Sequence, residues 1–437
     1  MGRHRFRWWA ALVLAAVAVL SACGPGRSGT RTLQVIVSVN GSYPTQQKQW
    51  FAYIAQKFKQ RTGADLAFDT FSSTSDVLTR MQTSVISNQG PDVFEIGTTF
   101  TPTAFSTGAF TTLTDQDWAK VGGKQRFRPA TLGLSGPAGR EIAVPETSLP
   151  YVLVYNKELF AKAGIDHPAD SWDGLMAQAR QLTGNGVYGL DVAYGDTGDT
   201  WKLVRNMTLQ LGNPLVQGKT VTLDDPRTLA AYRMLYSLRS AGVADPATVG
   251  WNNSQTLAAF AAGKAAMMLG TSGLSQHTLD SSAVAGKYAY AVMPTIPPGH
   301  TTVPAGGVPT TSILSGNNLV VADYSLNQDL AFDYVDLVTS EAEQEHLFDV
   351  FGVLPANAAA AAKATGGRAD LAPIMASGQG SVGTPFNGAW ADVQLQLSNV
   401  TVQLIPQLAR GGVSDAQITE QLQAAQKIAA DAVARAR

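Results

Sequence analysis

Cysteine is almost missing from this chain. Its 437 residues include one, Cys23, which leaves no material for a disulfide framework, a multi-cysteine metal site or an iron–sulfur cluster. Charge is scarce too: 15% of residues are Asp, Glu, Lys or Arg, against roughly 25% in an average soluble protein. The 32 Lys and Arg balance 33 Asp and Glu for a net charge of -1, so the basic excess of a nucleic-acid binder is absent. Of the five histidines, His4, His167, His277, His300 and His346, no two stand at H-x-x-x-H spacing. A zinc site on one helix is excluded, and ligands gathered from separated segments stay open. Phosphate-loop, nucleophile-elbow and calcium-loop patterns are lacking. The one G-x-G-x-x-G match, residues 184–189, follows a helical stretch and precedes a strand-like one. A dinucleotide site needs the reverse order, so this reads as a helix-to-strand turn.

Long apolar runs are confined to the N-terminus. Arg3, His4, Arg5 and Arg7 precede 13 uncharged, mostly apolar residues, 8–20. That run is short for a membrane span and suits a signal-peptide core. It ends in Leu20-Ser21-Ala22-Cys23, which resembles the bacterial lipobox, where cleavage precedes the cysteine and its thiol is acylated. The expected layout is a signal peptide over 1–22 and a flexible, lipidated tether over 23–32, with three glycines. Cys23 would then carry the lipid and hold the exported protein on the outer face of the cytoplasmic membrane.

What is present is a folding sequence: 45% of residues are hydrophobic, the opposite of a disordered composition. Residues 33–39 form an uncharged, β-branched run. Residues 46–61 place Trp50, Ile54 and Phe58 on one helical face, with Gly63 past the end. A second strand is expected at 66–71, a helix with Val77, Met81 and Val85 on one face, and a third strand at 92–96 after Gly90-Pro91. The alternation predicts an α/β fold with mostly parallel sheets flanked by helices. It continues with strands near 151–155, 187–192, 265–269, 288–292 and 318–322. Helices are expected at 157–163, 172–182, from Asp225-Pro226, at 326–339 and at 414–435. Residues 294–307 hold four prolines and three glycines and read as a connector.

Several local patterns together resemble one family, the extracellular solute-binding proteins of bacterial ABC importers in the carbohydrate-uptake class. They are Gly90-Pro91-Asp92-Val93-Phe94, the stretch from Tyr155-Asn156-Lys157 to Ala163-Gly164-Ile165, Ser171-Trp172-Asp173-Gly174-Leu175, residues 260–267 and Gly352-Val353-Leu354-Pro355. Gly174 stands where the family pattern has an acid. The matches span about residues 33 to 360. The resemblance implies a two-lobe clamp with a multi-strand hinge, crossed near residues 143–145, 293–295 and 354–355. Residues 33–143 and 294–353 would form the N-terminal lobe, and 144–293 and 354–437 the C-terminal lobe. It also implies a monomer that captures a sugar or oligosaccharide between its lobes and delivers it to ABC permease subunits, with no cofactor and no catalysis.

In α/β sheets ligands bind beyond the carboxyl ends of strands, which singles out loop residues in this frame. Asn40, Ser42 and Tyr43 follow the first strand, Ser72 and Ser73 the second, and Glu95 and Thr98 end the third. Glu146 and Thr147 follow the first crossing and Ser272 follows the strand at 265–269. Gly306 and Gly307 would let backbone approach the ligand. Trp201, Trp251 and Trp390 are candidate platforms for a sugar ring. Trp50 and Trp172, on amphipathic helices, read as core, and Trp118 is undecided. A polyamine receptor of the same fold would want acids around an aromatic box, and an iron receptor clustered tyrosines; neither cluster is visible in the sequence. An extracellular glycosidase would need two of the acids Asp92, Glu95, Glu146, Asp191, Asp196 and Asp199 at a suitable separation.

Overall fold

A computed structural model describes residues 31–196, 198–271 and 275–436. The signal and tether segment, Cys23 and Ser272 lie outside the described residues. Two sheets organise the chain.

The first sheet has five strands, in the order Asp65–Phe71, Thr32–Ser38, Val93–Gly97, Asn317–Val321, Ala143–Pro145. The first three run parallel, as the βαβαβ rhythm predicts. Asn317–Val321 returns antiparallel between Val93–Gly97 and Ala143–Pro145. The helix Pro44–Thr62 opens with proline in its first turn and stops at Gly63, whose φ of 75° lets its N–H reach the Lys59 carbonyl. Its Ile54 and Phe58 are buried on the sheet. Ser73 caps the helix Thr74–Ser87 by accepting from the Asp76 N–H at 3.1 Å.

The second sheet has Tyr151–Asn156 at its centre, antiparallel to both Tyr288–Ala291 and Met267–Thr271. The strand expected at 187–192 contributes only single parallel bridges, Tyr188 to Ala265 and Asp191 to Met268. Gly189 explains the break: a Cβ there would lie 1.9 Å from the Ala179 carbonyl oxygen, so the chain is pressed onto a helix where a strand would need room. The G-x-G-x-x-G segment is a tight turn closed by Gly184 and Val187, with Asn185 at φ 52° and Gly186 at φ 82°. Two long helices, Trp390–Ala409 and Asp415–Arg435, pack on Thr200–Gln210 and Pro226–Ser240 to complete the largest core.

Hydrogen bonding moves two of the expected lobe boundaries. The Pro/Gly connector from residue 294 stays with the second lobe to about residue 313. Buried Gln210 clamps it, donating to the Pro294 carbonyl at 2.7 Å and the Thr310 carbonyl at 2.8 Å. The chain returns to the first sheet between Ile313 and Asn317, where Gly316 at φ 152° leaves no room for a Cβ beside the Thr147 carbonyl. Likewise residues 356–365 stay by the first lobe: the Arg128 N–H donates to the Ala356 carbonyl and the Asn357 amide to the Thr339 carbonyl. The chain reaches the second sheet with the short turn Ala369–Leu371 and the helix Ala372–Gln379, whose Ser377 hydroxyl donates to the Tyr151 carbonyl at 2.6 Å. Thr147–Ser148 and Leu354–Pro355 pair antiparallel between the lobes.

Candidate functional site: the interlobe cleft

A cavity of about 350 Å³ opens between the lobes, within the usual range of small-molecule sites. The first lobe supplies its floor. Ser38 ends the first strand and Glu95 lies on the third. The Ser38 hydroxyl and N–H both donate to Glu95 Oε1, at 2.5 and 3.1 Å. Glu146 reaches the same spot because Glu95 and Val144 both flank Leu319 in the sheet, and Glu146 follows two residues on, with the alternation of a strand. The two carboxyls are buried beside each other. Burial pushes both upward. The neighbouring charge of Glu95 then holds Glu146 well above the ordinary carboxylate range, whereas the Ser38 donors restrain Glu95.

Aromatic rings form the side walls. Phe51 and Phe68 stack 4.3 Å apart at 11°, Trp50 packs edge-on to Phe351 at 6.2 Å, and Tyr334 closes the base against Phe68. Asn40 shapes the rim, its side-chain oxygen accepting from the Ser42 and Tyr43 N–H groups at 3.1 and 2.9 Å. The second lobe supplies Asp196, Asn253 and Ser254. Asn252 caps the helix Asn253–Ala261 in a reciprocal box with Gln255. That cap sets Asn253 to donate to Asp196 Oδ2 at 3.0 Å and also to Asp199. Lys202 meets Asp199 and the Tyr151 hydroxyl, each at 3.0 Å. The lobes also touch directly: the Ser42 and Ser254 hydroxyls are 3.3 Å apart, and those of Tyr43 and Thr278 are 3.2 Å apart.

A second arm, about 450 Å³, shares Ser38, Val39 and Asp196 with the first. It runs past Phe71, Ser72 and Ser73 to Gln394 and Asn399 on the helix Trp390–Ala409. No Lys, Arg or His lines either arm among the described residues. No group of three His, Cys, Asp or Glu among them is placed to hold a metal ion.

The expected site residues divide accordingly. Asn40, Ser42, Glu95, Glu146 and Thr147 line the first arm, and Ser72 and Ser73 the second. Tyr43 lies just behind the rim, buried against Phe351. Thr98 faces a different cavity, with its hydroxyl on the Leu314 carbonyl. Trp201 and Trp390 are corrections: both are fully buried and pack against each other at 5.9 Å in the second-lobe core, with no face left for a ligand. Gly306 and Gly307 are corrections as well. They pack on the end of Thr200–Gln210, where a Cβ on Gly307 would lie 2.1 Å from the Gln210 carbonyl oxygen. Trp251 is half-buried and does not line the cavity. Trp50, expected in the core, lines it instead, because its helix turns that face toward Phe351 and His346. Trp172 is core as expected, its indole N–H on Gln210 at 3.1 Å. The ring set Phe51, Phe68, Tyr334 and Phe351 was missed, since hydrophobic periodicity does not separate a cleft wall from a core.

The architecture can be compared with known proteins. The family model for bacterial extracellular solute-binding proteins matches residues 41–345. The chain belongs to this family. Its members are extracellular solute-binding proteins rather than enzymes. The chain is 28% identical over 384 residues to the diacetylchitobiose binding protein DasA of Streptomyces coelicolor, covering 83% of this chain and 82% of that one. Among solved structures, the GacH receptor of Streptomyces glaucescens, determined unliganded and with acarbose, superposes with a TM-score of 0.72 at 21% identity, covering 94% of this chain and all of that one. Maltose-bound MalE3 of T. maritima gives 0.74 at 19% identity, covering 91% of this chain and all of the other. These superpositions establish the two-lobe solute-receptor fold.

Proposed function

We propose that this protein is the sugar receptor of an ABC importer, held by a lipid on Cys23 to the outer face of the cytoplasmic membrane. It works as a single chain. A sugar or oligosaccharide enters the cleft, touches both lobes and stabilises their closed arrangement, which the permease subunits then read. A ligand shifts such an equilibrium only through its higher affinity for the closed state. The observation that carries this reading is the cleft itself: aromatic faces beside carboxyl, amide and hydroxyl groups from two lobes joined by a paired-strand hinge. Apolar C–H faces and hydroxyls of a sugar match that lining, and the second arm extends it for a longer chain. The kinship with a diacetylchitobiose binding protein supports the same class. Lobe rotation about residues 147–148 and 354–355 is the expected motion.

A thermal-shift screen of residues 28–437 against mono-, di- and oligosaccharides, polyamines and iron tests the reading. A ligand at 100 times its dissociation constant adds about 2.7 kcal/mol of stability. A raised melting temperature with a sugar that is recovered intact supports a sugar receptor; a shift with polyamine or iron alone rejects it. For the anchor, Cys23→Ser should release the protein from the membrane fraction, and unchanged retention would remove the lipid from the account.

A further inference from the structure

The cleft is built with carboxyls and without a cation. Glu95 and Glu146 are each more than nine-tenths buried and line the first arm. Glu95 has its Ser38 donors. Glu146 is different: its carboxyl meets no protein N–H or hydroxyl donor among the described residues, only the carboxyl of Glu95. Its remaining hydrogen-bonding capacity faces the cavity. The titratable groups nearby make the environment more negative. Tyr334, from the helix Gln328–Val338, feels both carboxyls. Across the cleft Asp196 is met by amide donors alone, whereas its neighbour Asp199 has Lys202. A buried acid pair with no counter-charge is costly, and burial together with the neighbouring Glu95 pushes Glu146 toward its protonated form. A proton held this way is replaceable by a cation from the ligand.

We infer that the ligand is an amino sugar bearing a free ammonium group, which sits on Glu95 and Glu146. The inference rests on the sugar-receptor reading and narrows it. An ammonium has three N–H donors and no acceptor, so it satisfies two carboxylates at once. The proton displaced from Glu146 leaves for bulk solvent, and the aromatic walls take the sugar ring. An N-acetylated or unsubstituted sugar leaves the proton where it is, and a uronate brings a further negative charge into a site that already has three acids.

Isothermal titration calorimetry separates these cases. A β-1,4-linked glucosamine disaccharide, its di-N-acetyl form, maltose and spermidine are titrated at neutral pH in two buffers of different ionisation enthalpy. The expected result is an affinity for the glucosamine disaccharide about tenfold or more above that of the di-N-acetyl form, a difference of ~1.4 kcal/mol. Binding should release a proton for the ammonium sugar alone. Glu146→Gln keeps the shape of the side chain, and its folding is checked by thermal unfolding. It should erase both the preference and the proton release. Equal or tighter binding of the di-N-acetyl sugar or maltose, or an unchanged preference in Glu146→Gln, overturns the inference and leaves the sugar receptor standing. Binding of spermidine with no sugar bound overturns the sugar reading, and this inference with it.

Discussion

The two walls of the cleft are made differently. The first lobe presents residues fixed by a sheet: Ser38, Glu95 and Glu146 sit on or just beyond paired strands, and rings on flanking helices pack beside them. The second lobe presents a few polar groups, Asp196, Asn253 and Ser254, on a loop and a helix start. Its own aromatic mass, including Trp201 and Trp390, is turned inward. The first wall is preformed and apolar enough to bind a ring. The second closes over it through hydrogen bonds. The lobes also treat buried acid in opposite ways. The first turns a buried pair of carboxyls toward the cavity. The second sequesters Asp191, whose Oδ1 accepts from the Asp245 N–H at 2.9 Å while Oδ2 has no hydrogen-bond partner among the described residues.

This contrast is open to direct attack, beginning with the tryptophans. Trp201→Ala empties a fully buried position and should cost about 3–5 kcal/mol of stability, read as a large drop in melting temperature. A normal melting temperature with weakened ligand binding would move Trp201 from the core to the cleft. Next comes Asp191. Burial raises its pKa from 3.8 to about 6, so the folded state holds a proton that the unfolded chain has already lost. The penalty is absent below about pH 4, grows as pH rises to about 6, and is constant above. Asp191→Asn should therefore gain about 1–3 kcal/mol relative to the parent above pH 6 and little below pH 4. A gain independent of pH would reject the assignment.

On the first wall, Trp50→Ala should weaken ligand binding about tenfold, ~1.4 kcal/mol, with folding intact by circular dichroism. Full affinity would return Trp50 to a structural role. The smallest effect belongs to the second wall. Ser254→Ala removes one 3.3 Å contact between the lobes and should cost about 0.5 kcal/mol in affinity. A loss as large as that of Trp50→Ala would mean that the walls share the binding equally.

Much of this was legible residue by residue. The parallel run of the first three strands, the helix start at Asp225-Pro226 and the turn at Asn185-Gly186 follow from local rules that need only neighbours in the chain, whereas the cap of the second helix falls on Ser73 and not on the expected Ser75. The polar loops after the first three strands were also readable, because a strand's carboxyl end is a fixed place in an α/β sheet. The aromatic assignments were not. Trp50 and Trp201 both sit on helices with apolar neighbours, and a helical period records only that a face is covered. Whether protein or ligand covers it depends on what the other lobe brings.

The sequence by itself determined the α/β alternation, the parallel run of the first three strands and the residues at their ends, since hydrophobic period, capping and turn chemistry act within a few residues. Only the tertiary structure decided that Gln210 ties the Pro/Gly connector to the second lobe and that Val144 and Glu95 flank the same strand. The same assembly packs Trp201 against Trp390. Above all, it brought Glu95 and Glu146 together. Those carboxyls lie some fifty residues apart in the chain, and Glu146 is pushed upward because folding removes both from water at one point, a distance-dependent effect that no local pattern encodes.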